Sequence, residues 1–197
     1  MEEPMGFFIA RTYKDPFFVL VSCLLSLRSR DTVTLPISQN LFSRVTSPQE
    51  MLDIPLQDLE EIIRPIGFFH QKARTLKHVS AELLNRFNGR VPSSEADLLS
   101  IKGVGRKTAN LVLGLSFGIP AICVDTHVHR LSNQLGLVST KTPEQTEEAL
   151  KKILPKKDWI EFNNLLVTWG QKVPRSKQVP LLLTLLKNPE TIKAPAS

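Results

Sequence analysis

The sequence predicts an all-α protein, and three observations carry that prediction. Helix-start signals recur along the chain, because Asp15-Pro16, Ser47-Pro48 and Thr142-Pro143 each place a capping side chain before a proline suited to the first helical turn. Apolar residues return at helical spacing between Pro55 and Arg64. Long alternating runs of Val, Ile and Thr are missing, and no Asn-Gly turn joins two such runs, so no β-hairpin is expected.

The helices can be placed in order from these signals. A strongly apolar, buried helix is predicted from Pro16 to about Arg28, and it is too short to span a bilayer, which needs roughly 20 residues. A long basic helix from Gln71 to Phe87 follows the break at Pro65-Ile66-Gly67 and ends at Asn88-Gly89. The remaining long helices are predicted over residues 94–101, 106–117, 126–135, 142–154, 158–173 and 180–186.

Composition narrows the range of partners. The 197 residues are 42% apolar and carry a formal net charge of +6, which suits a globular protein that meets a polyanion such as DNA or an anionic surface.

Two cysteines, Cys23 and Cys123, cannot form a disulfide framework or a cysteine-rich metal site. The N-terminus shows no secretory signal, so a cytoplasmic location is expected if the source is prokaryotic.

Gly103-Val104-Gly105 is the centre of the most informative stretch. The two glycines allow a tight turn and a close approach to a partner, because no Cβ stands in the way. A helix is predicted to begin at Arg106, so its free amides and the positive end of its dipole would face the same place. This arrangement predicts a binding site for a phosphate group.

Lys107 and Asp125 are the candidate catalytic pair. A lysine at a helix start opposes the macrodipole, and a positive field favours the neutral amine that a Schiff-base nucleophile requires. Asp125 follows the apolar run of residues 119–124 and precedes a predicted helix. Taken singly, Lys107 could be a DNA-contacting or solvated lysine and Asp125 a helix N-cap. Their occurrence together beside a predicted phosphate cradle favours catalysis.

These residues resemble a known family. The run from Ile101 to Ala109, IKGVGRKTA, followed at this separation by Val124-Asp125-Thr126-His127, closely resembles the helix-hairpin-helix glycosylases of the endonuclease III group. The resemblance extends from about Asp15 to Gly170. It also includes Leu24-Leu25-Ser26, Arg30-Asp31 and Ile66-Gly67-Phe68.

The resemblance implies a two-lobed helix-hairpin-helix DNA glycosylase fold with a DNA-binding groove between the lobes. Residues 15–119 would form a six-helix lobe containing the hairpin, and residues 1–14 and 120–197 a second lobe that supplies Asp125. The implied activity is base excision repair: removal of oxidised pyrimidines, then cleavage 3′ to the abasic site by β-elimination through a Schiff base on Lys107. The expected partner is double-stranded DNA with a damaged base or an abasic site, bound by a monomer away from membranes, at the nucleoid if the source is prokaryotic.

The resemblance also assigns DNA contacts around the hairpin. Gly103, Val104 and Gly105 would hold a backbone phosphate, with Arg106 and Thr108 beside them. His127 would lie near the phosphodiester, with surface solvation as the alternative. A metal site at His127 and His129 is not expected, because helix neighbours two residues apart face different directions.

Two further positions are assigned to the damaged base pair. Arg28 stands where relatives often carry a glutamine that fills the gap left by an extruded base, although a solvated helix end would explain a charge there. Phe68 stands where relatives often insert a bulky apolar wedge, and core packing is its alternative. Because two adjacent aromatic side chains cannot both point one way, we predict Phe68 outward and Phe69 inward.

The cofactor expectation departs from the family. Most relatives carry four cysteines near the C-terminus that bind a [4Fe-4S] cluster, whereas residues 170–180 contain none here. We therefore expect no cluster and no metal ligated by side chains, with the apolar run 181–186 packing in place of the cluster loop. Hairpins of this type can also hold a monovalent cation through backbone carbonyls.

Three alternative functions remain open. A monofunctional mismatch or damaged-base glycosylase is the nearest, but members of that kind lack a lysine at the position of Lys107. A non-catalytic helix-hairpin-helix module would bind the DNA backbone without forming a covalent intermediate. A basic helical adaptor for proteins would show no salt-dependent DNA affinity.

Overall fold

The computed structural model describes residues 4–178 and residue 180. Throughout this part of the chain, helices follow one another with no intervening strand, as the sequence predicts. In chain order they are α1 (Met5–Tyr13), α2 (Pro16–Ser26), α3 (Asp31–Phe42), α4 (Pro48–Asp53), α5 (Leu56–Ile63), α6 (Phe69–Phe87), α7 (Glu95–Ser100), α8 (Arg106–Phe117), α9 (Thr126–Gln134), α10 (Pro143–Ile153) and α11 (Trp159–Lys172). A 3-10 turn, Lys156–Asp158, precedes α11, and residues 175–178 are again helical.

The three predicted capping signals each start a helix. The Asp15 carboxylate accepts a hydrogen bond from the Phe17 amide at 2.8 Å at the start of α2. The Ser47 hydroxyl caps α4 and the Thr142 hydroxyl caps α10, each accepting from the amide three residues later. Each of the three helices has a proline in its first turn, where an absent N–H costs nothing.

The chain divides into two compact units, Met1–Ala121 and Ile122–Ser197. In the first unit, α2 forms the centre of the core: residues 17–25 are buried, and α1, α3, α6 and α8 pack against this helix. Met5 and Ile9 of α1 are buried in the same core. The contacts therefore group α1 with the first unit, whereas the sequence prediction grouped residues 1–14 with the second lobe.

The second unit is built from α9, α10 and α11. Its core contains Ile122, Val128, Leu131, Leu150 and Leu166. The connector that leads into α9 is buried, and the Cys123 carbonyl accepts a hydrogen bond from the Asn163 side-chain amide of α11 at 2.5 Å. This bond fixes the connector directly before the candidate catalytic Asp125.

Two findings concern predictions made for the ends of the chain and for membranes. The apolar run 181–186, predicted to pack in place of a cluster loop, lies outside the described residues. Among the described residues, no helix is both long enough and apolar enough to cross a membrane.

Candidate active site and DNA-binding elements

The predicted turn lies between α7 and α8, and its two glycines have different roles. Gly103 has φ +102°, and a Cβ there would stand 2.8 Å from Thr75 Cγ2, so both backbone conformation and space require glycine. Gly105 has φ −93°, and a Cβ added there would meet no neighbouring group within 4 Å, so the fold itself would accept alanine. Open space at Gly105 is therefore available to a partner.

The start of α8 presents backbone amides among solvent-exposed residues. Gly105 is the N-cap and has no capping side chain, and the Ala109 amide donates to the Gly105 carbonyl at 2.9 Å to close the first turn. Gly105, Arg106 and Lys107 are exposed. The amides of a first helical turn lack intrahelical acceptors, so this end of α8 can bind an anion.

Val104 and Thr108, both predicted to contact DNA, do not present a free side chain or amide in the same way as the glycines. The Val104 amide donates to the Ile101 carbonyl at 3.0 Å, so it stabilises the turn and is not directed at a ligand. Thr108 is 2% exposed and its side chain lies on the packed face of α8. A DNA contact by Thr108 therefore stays a prediction for its backbone amide in the first turn of the helix. The cradle thus consists of Gly103, Gly105 and the exposed first turn of α8.

Arg28, Phe68 and Gly103 come together from three separate segments at one pocket of about 320 Å³ in the first unit. Phe68 is 63% exposed, while Phe69 packs against the core, so the predicted outward and inward directions are confirmed. Arg28 is exposed too. Both Arg28 and Phe68 have left-handed backbone, with φ 56° and 61°, a conformation that is uncommon for residues other than glycine and is concentrated at functional sites.

Lys72 lines the same pocket and was not among the predicted site residues. Its side chain is buried on α6, and its ammonium donates to the Leu25 carbonyl at 2.7 Å and the Ser29 hydroxyl at 2.9 Å. Burial lowers the pKa of Lys72 to about 8. A signal was present in the sequence, because Lys72 falls four and seven residues before Leu76 and Val79, on the apolar stripe of α6.

Asp125 belongs to the second unit and is the N-cap of α9. Its Oδ1 accepts hydrogen bonds from the amides of His127 and Val128, both at 2.9 Å. The side chain is half-buried at the end of the buried connector. Both capping bonds use the same oxygen, so the cap fixes the orientation of the carboxylate while Oδ2 takes no part in these two bonds.

His127, predicted to lie near the phosphodiester, is half-buried in the first turn of α9. Its ring lies against Gly170 of α11 so closely that a Cβ at position 170 would overlap it. Nδ1 is buried and has no hydrogen-bond partner among the described residues. The close packing explains the glycine at position 170, and a phosphodiester contact by His127 stays a prediction.

Gln178 makes several hydrogen bonds within residues 170–180, the region where relatives carry cluster cysteines. This side chain is 1% exposed; its oxygen accepts from Arg130 Nη2 at 2.6 Å, and its nitrogen donates to the carbonyls of Gly170 at 3.0 Å and Val173 at 2.5 Å. The Gln178 carbonyl in turn accepts from the Trp169 indole at 3.0 Å. Hydrogen bonds therefore hold this loop to α9 and α11.

The residues present do not fit a [4Fe-4S] cluster. Such a cluster is held by cysteine thiolates, usually four. The sequence has two cysteines, and both are buried, Cys23 in the first unit and Cys123 in the second. Burial raises the pKa of the Cys23 thiol to about 12, against the opposing effect of the Lys107 charge, so Cys23 is protonated at neutral pH.

Helices without strands make up the described residues, and the exposed Lys107 lies two residues after the glycine turn that leads into α8. Residues 21–156 match the HhH-GPD superfamily base excision DNA repair protein model. The chain belongs to this family.

Curated relatives agree with this family. The chain is 45% identical to endonuclease III of Thermotoga maritima over 88% of this chain and 82% of that protein. It is 34% identical to endonuclease III of Bacillus subtilis, over 86% of this chain and 80% of the relative. Endonuclease III enzymes are DNA glycosylases with AP lyase activity, and the chain is an enzyme of this kind in base excision repair.

Solved structures match as well. A trapped endonuclease III–DNA covalent intermediate, in an estranged-adenine complex, superposes with a TM-score of 0.80 at 35% identity, covering 86% of this chain and 82% of that one. A non-covalent endonuclease III–DNA complex gives a TM-score of 0.80 at 33% identity, covering 91% and 87%. A thermostable thymine-DNA glycosylase, at 23% identity and a TM-score of 0.74 over 88% and 87%, shares the fold.

Proposed function

We propose that this enzyme removes oxidised or ring-saturated pyrimidines from duplex DNA and then cuts the strand 3′ to the abasic site, with Lys107 as the nucleophile. The main support is the position of Lys107, whose side chain is exposed in the first turn of α8, directly after the turn that offers backbone amides to a phosphate. A relative of the same fold has been trapped as a covalent intermediate with DNA, which supports covalent chemistry here.

The proposed reaction begins when the lone pair of Lys107 Nζ attacks C1′ of a nucleotide turned out of the helix. The bond between C1′ and the base breaks, and the base leaves with the electron pair of that bond and gains a proton. Opening of the sugar ring gives a Schiff base between Nζ and C1′. Loss of a proton from C2′ then breaks the bond between C3′ and the 3′ phosphate oxygen, and water hydrolyses the Schiff base.

In this proposal Asp125 supplies the negative charge for the first step. Positive charge develops on the sugar as the base departs, and a carboxylate whose geometry is fixed by the cap of α9 stabilises that charge without reorganisation. The cap thus explains why the same aspartate can serve both structure and chemistry.

The same proposal assigns the DNA contacts. Gly103, Gly105 and the first turn of α8 hold a backbone phosphate, with Arg106 adding charge. Phe68 and Arg28, both exposed at one pocket, enter the duplex at the damaged pair and offset the unstacking that base extrusion costs, a few kcal/mol per step. We propose that one copy of the chain, acting as a monomer, makes all these contacts.

We further propose that these residues work without an iron-sulfur cluster. The Gln178 side chain donates to the carbonyls of Gly170 and Val173 and accepts from Arg130, so these hydrogen bonds hold the loop after α11 in place. The support is the donor set, since two buried cysteines cannot supply the thiolates that a cluster needs.

A product assay on defined duplexes tests the proposed function. We expect the wild type to cleave a duplex containing one thymine glycol without added alkali and to leave a normal duplex intact. Lys107→Ala should abolish this cleavage, whereas Lys102→Ala, which removes another exposed lysine of the same hairpin, should retain it. Base release that needs alkali for strand cleavage would show a monofunctional glycosylase. Salt-sensitive binding without base release would show a binding module.

A further inference from the structure

A buried lysine closes the C-terminal end of α2 beside the pocket. The last carbonyls of a helix lack intrahelical donors, and Leu25 lies one residue before the end of α2. Its carbonyl accepts from the Lys72 ammonium at 2.7 Å. A cation at a helix C-terminus is also favoured by the macrodipole.

The same ammonium reaches across the turn that follows α2. Lys72 Nζ donates to the Ser29 hydroxyl at 2.9 Å, and the Ser29 amide donates to the Ser26 carbonyl at 2.9 Å. Arg28 lies between the two groups that Lys72 bridges, and its backbone has the left-handed φ of 56°. A residue other than glycine keeps such a conformation only when its neighbours fix it.

Lys77 provides an internal comparison on the same helix. Its ammonium donates to the carbonyls of Leu52 and Ile54 at the C-terminal end of α4, so it closes a helix as Lys72 does. Lys77 does not line the pocket of Arg28 and Phe68. Both lysines therefore donate to carbonyls at the C-terminal end of a helix, but only Lys72 does so beside the pocket.

We propose that Lys72 is a positioning residue for base excision: by bridging the Leu25 carbonyl and the Ser29 hydroxyl, it holds Arg28 in the conformation that enters the duplex beside the extruded nucleotide. This inference rests on the proposed function, since it needs Arg28 to act on DNA. In this proposal Lys72 acts through Arg28 and not on the reacting atoms.

The chemistry of the bridge favours an ammonium at this place. With a pKa lowered to about 8 by burial, most Lys72 side chains are charged at neutral pH, so both hydrogen bonds are charge-assisted. Arginine could keep the charge but has a planar, larger group, whereas methionine has a similar length and no donor. These two substitutions therefore separate the charge from the volume of the side chain.

The test measures stacking at the lesion directly. A duplex carries a stable tetrahydrofuran abasic analogue with 2-aminopurine opposite to it, and fluorescence is read on binding. We expect Lys72→Met and Arg28→Ala to lose the wild-type fluorescence change and to lower kcat/KM on a damaged duplex by about 10- to 100-fold, the factor expected for losing hydrogen bonds to a charged group. The double variant should be no worse than either single variant, because both remove the same function.

Three further variants keep the test decisive. Lys77→Met should lower thermal stability and retain the fluorescence change, Lys72→Arg should recover part of it, and Ser29→Ala, which removes one of the two bonds, should give a smaller loss. A wild-type signal in Lys72→Met, or independent losses that multiply in the double variant with Arg28→Ala, would overturn the inference. The fluorescence assay needs binding only, so failure of the lyase chemistry would leave this result readable.

Discussion

Replacing Asp125 by asparagine or alanine should separate the two roles of this side chain. The cap consists of two hydrogen bonds from the amides of His127 and Val128 to one oxygen, Oδ1. Asparagine keeps an equivalent carbonyl oxygen, and Asn and Asp are about equally good N-caps. Asp125→Asn should therefore lose only the charge–dipole contribution at the start of α9, about 0.3–1 kcal/mol. Asp125→Ala should lose the cap, about 1 kcal/mol or somewhat more.

Activity should follow a different order from stability. Both variants lose the negative charge that stabilises the developing positive charge on the sugar, so both should release a damaged base about 10²- to 10³-fold more slowly than the wild type. The assay is single-turnover release from a thymine-glycol duplex, with thermal unfolding measured on the same samples. Near-wild-type release by Asp125→Asn, or a loss of activity that merely tracks the loss of stability, would show that Asp125 is only a cap.

Other substitutions give equally distinct outcomes. Gly103→Ala should destabilise the fold by about 1–3 kcal/mol because its φ is +102°, whereas Gly105→Ala should leave the melting temperature unchanged and weaken DNA binding in a salt titration. Phe68→Ala should change stability by less than about 0.5 kcal/mol, because Phe68 is 63% exposed, and should raise the Kd for a lesion duplex. Equal affinities of the variant and the wild type for that duplex would argue against a wedge. Gln178→Ala should lower the free energy of unfolding by about 2–4 kcal/mol by leaving buried groups without partners, and denaturant unfolding would reveal a smaller loss if the loop repacks. Lys72 has a folded-state pKa of about 8, below the ordinary 10.5, so between pH 8 and 10.5 the unfolded state binds more protons than the folded state. The free energy of unfolding of the wild type should therefore rise with pH across this range relative to that of Lys72→Met. Parallel curves of stability against pH for the two proteins would contradict this prediction.

The helices that could be predicted are those with local start signals. Asp15, Ser47 and Thr142 satisfy the first amides of their own helices, so the residues that start a helix are neighbours in sequence. The α8 bounds were predicted correctly for a similar reason, since glycines precede and follow it. No comparable signal marks α1 or α3, because α1 has no side-chain cap and α3 contains Pro36 in its interior. These two helices are stabilised mainly by tertiary packing, which cannot be predicted from a few neighbouring residues.

The candidate site divides in the same way. The hairpin and the outward Phe68 follow from local patterns and were predicted. The contacts of Lys72 and Gln178 were not, because they join residues separated by 43 and 47 positions for Lys72 and by 48 for Arg130 and Gln178. Thr108 shows what a motif leaves out: its position was assigned to DNA, and the structure shows that its side chain faces the core. Motifs identify the chemistry, and three-dimensional contacts decide which side chains are available for it.

Borohydride trapping on a duplex with a single abasic site tests the central claim most directly. If Lys107 attacks C1′, reduction should fix a covalent protein–DNA adduct with the wild type, and peptide mass analysis should locate the adduct on Lys107. Lys107→Ala should form no adduct, while Asp125→Asn should form it more slowly and Lys102→Ala at the normal rate. An adduct that persists in Lys107→Ala, or no adduct with a wild-type protein that still binds the duplex, would contradict the assignment of Lys107 as the nucleophile.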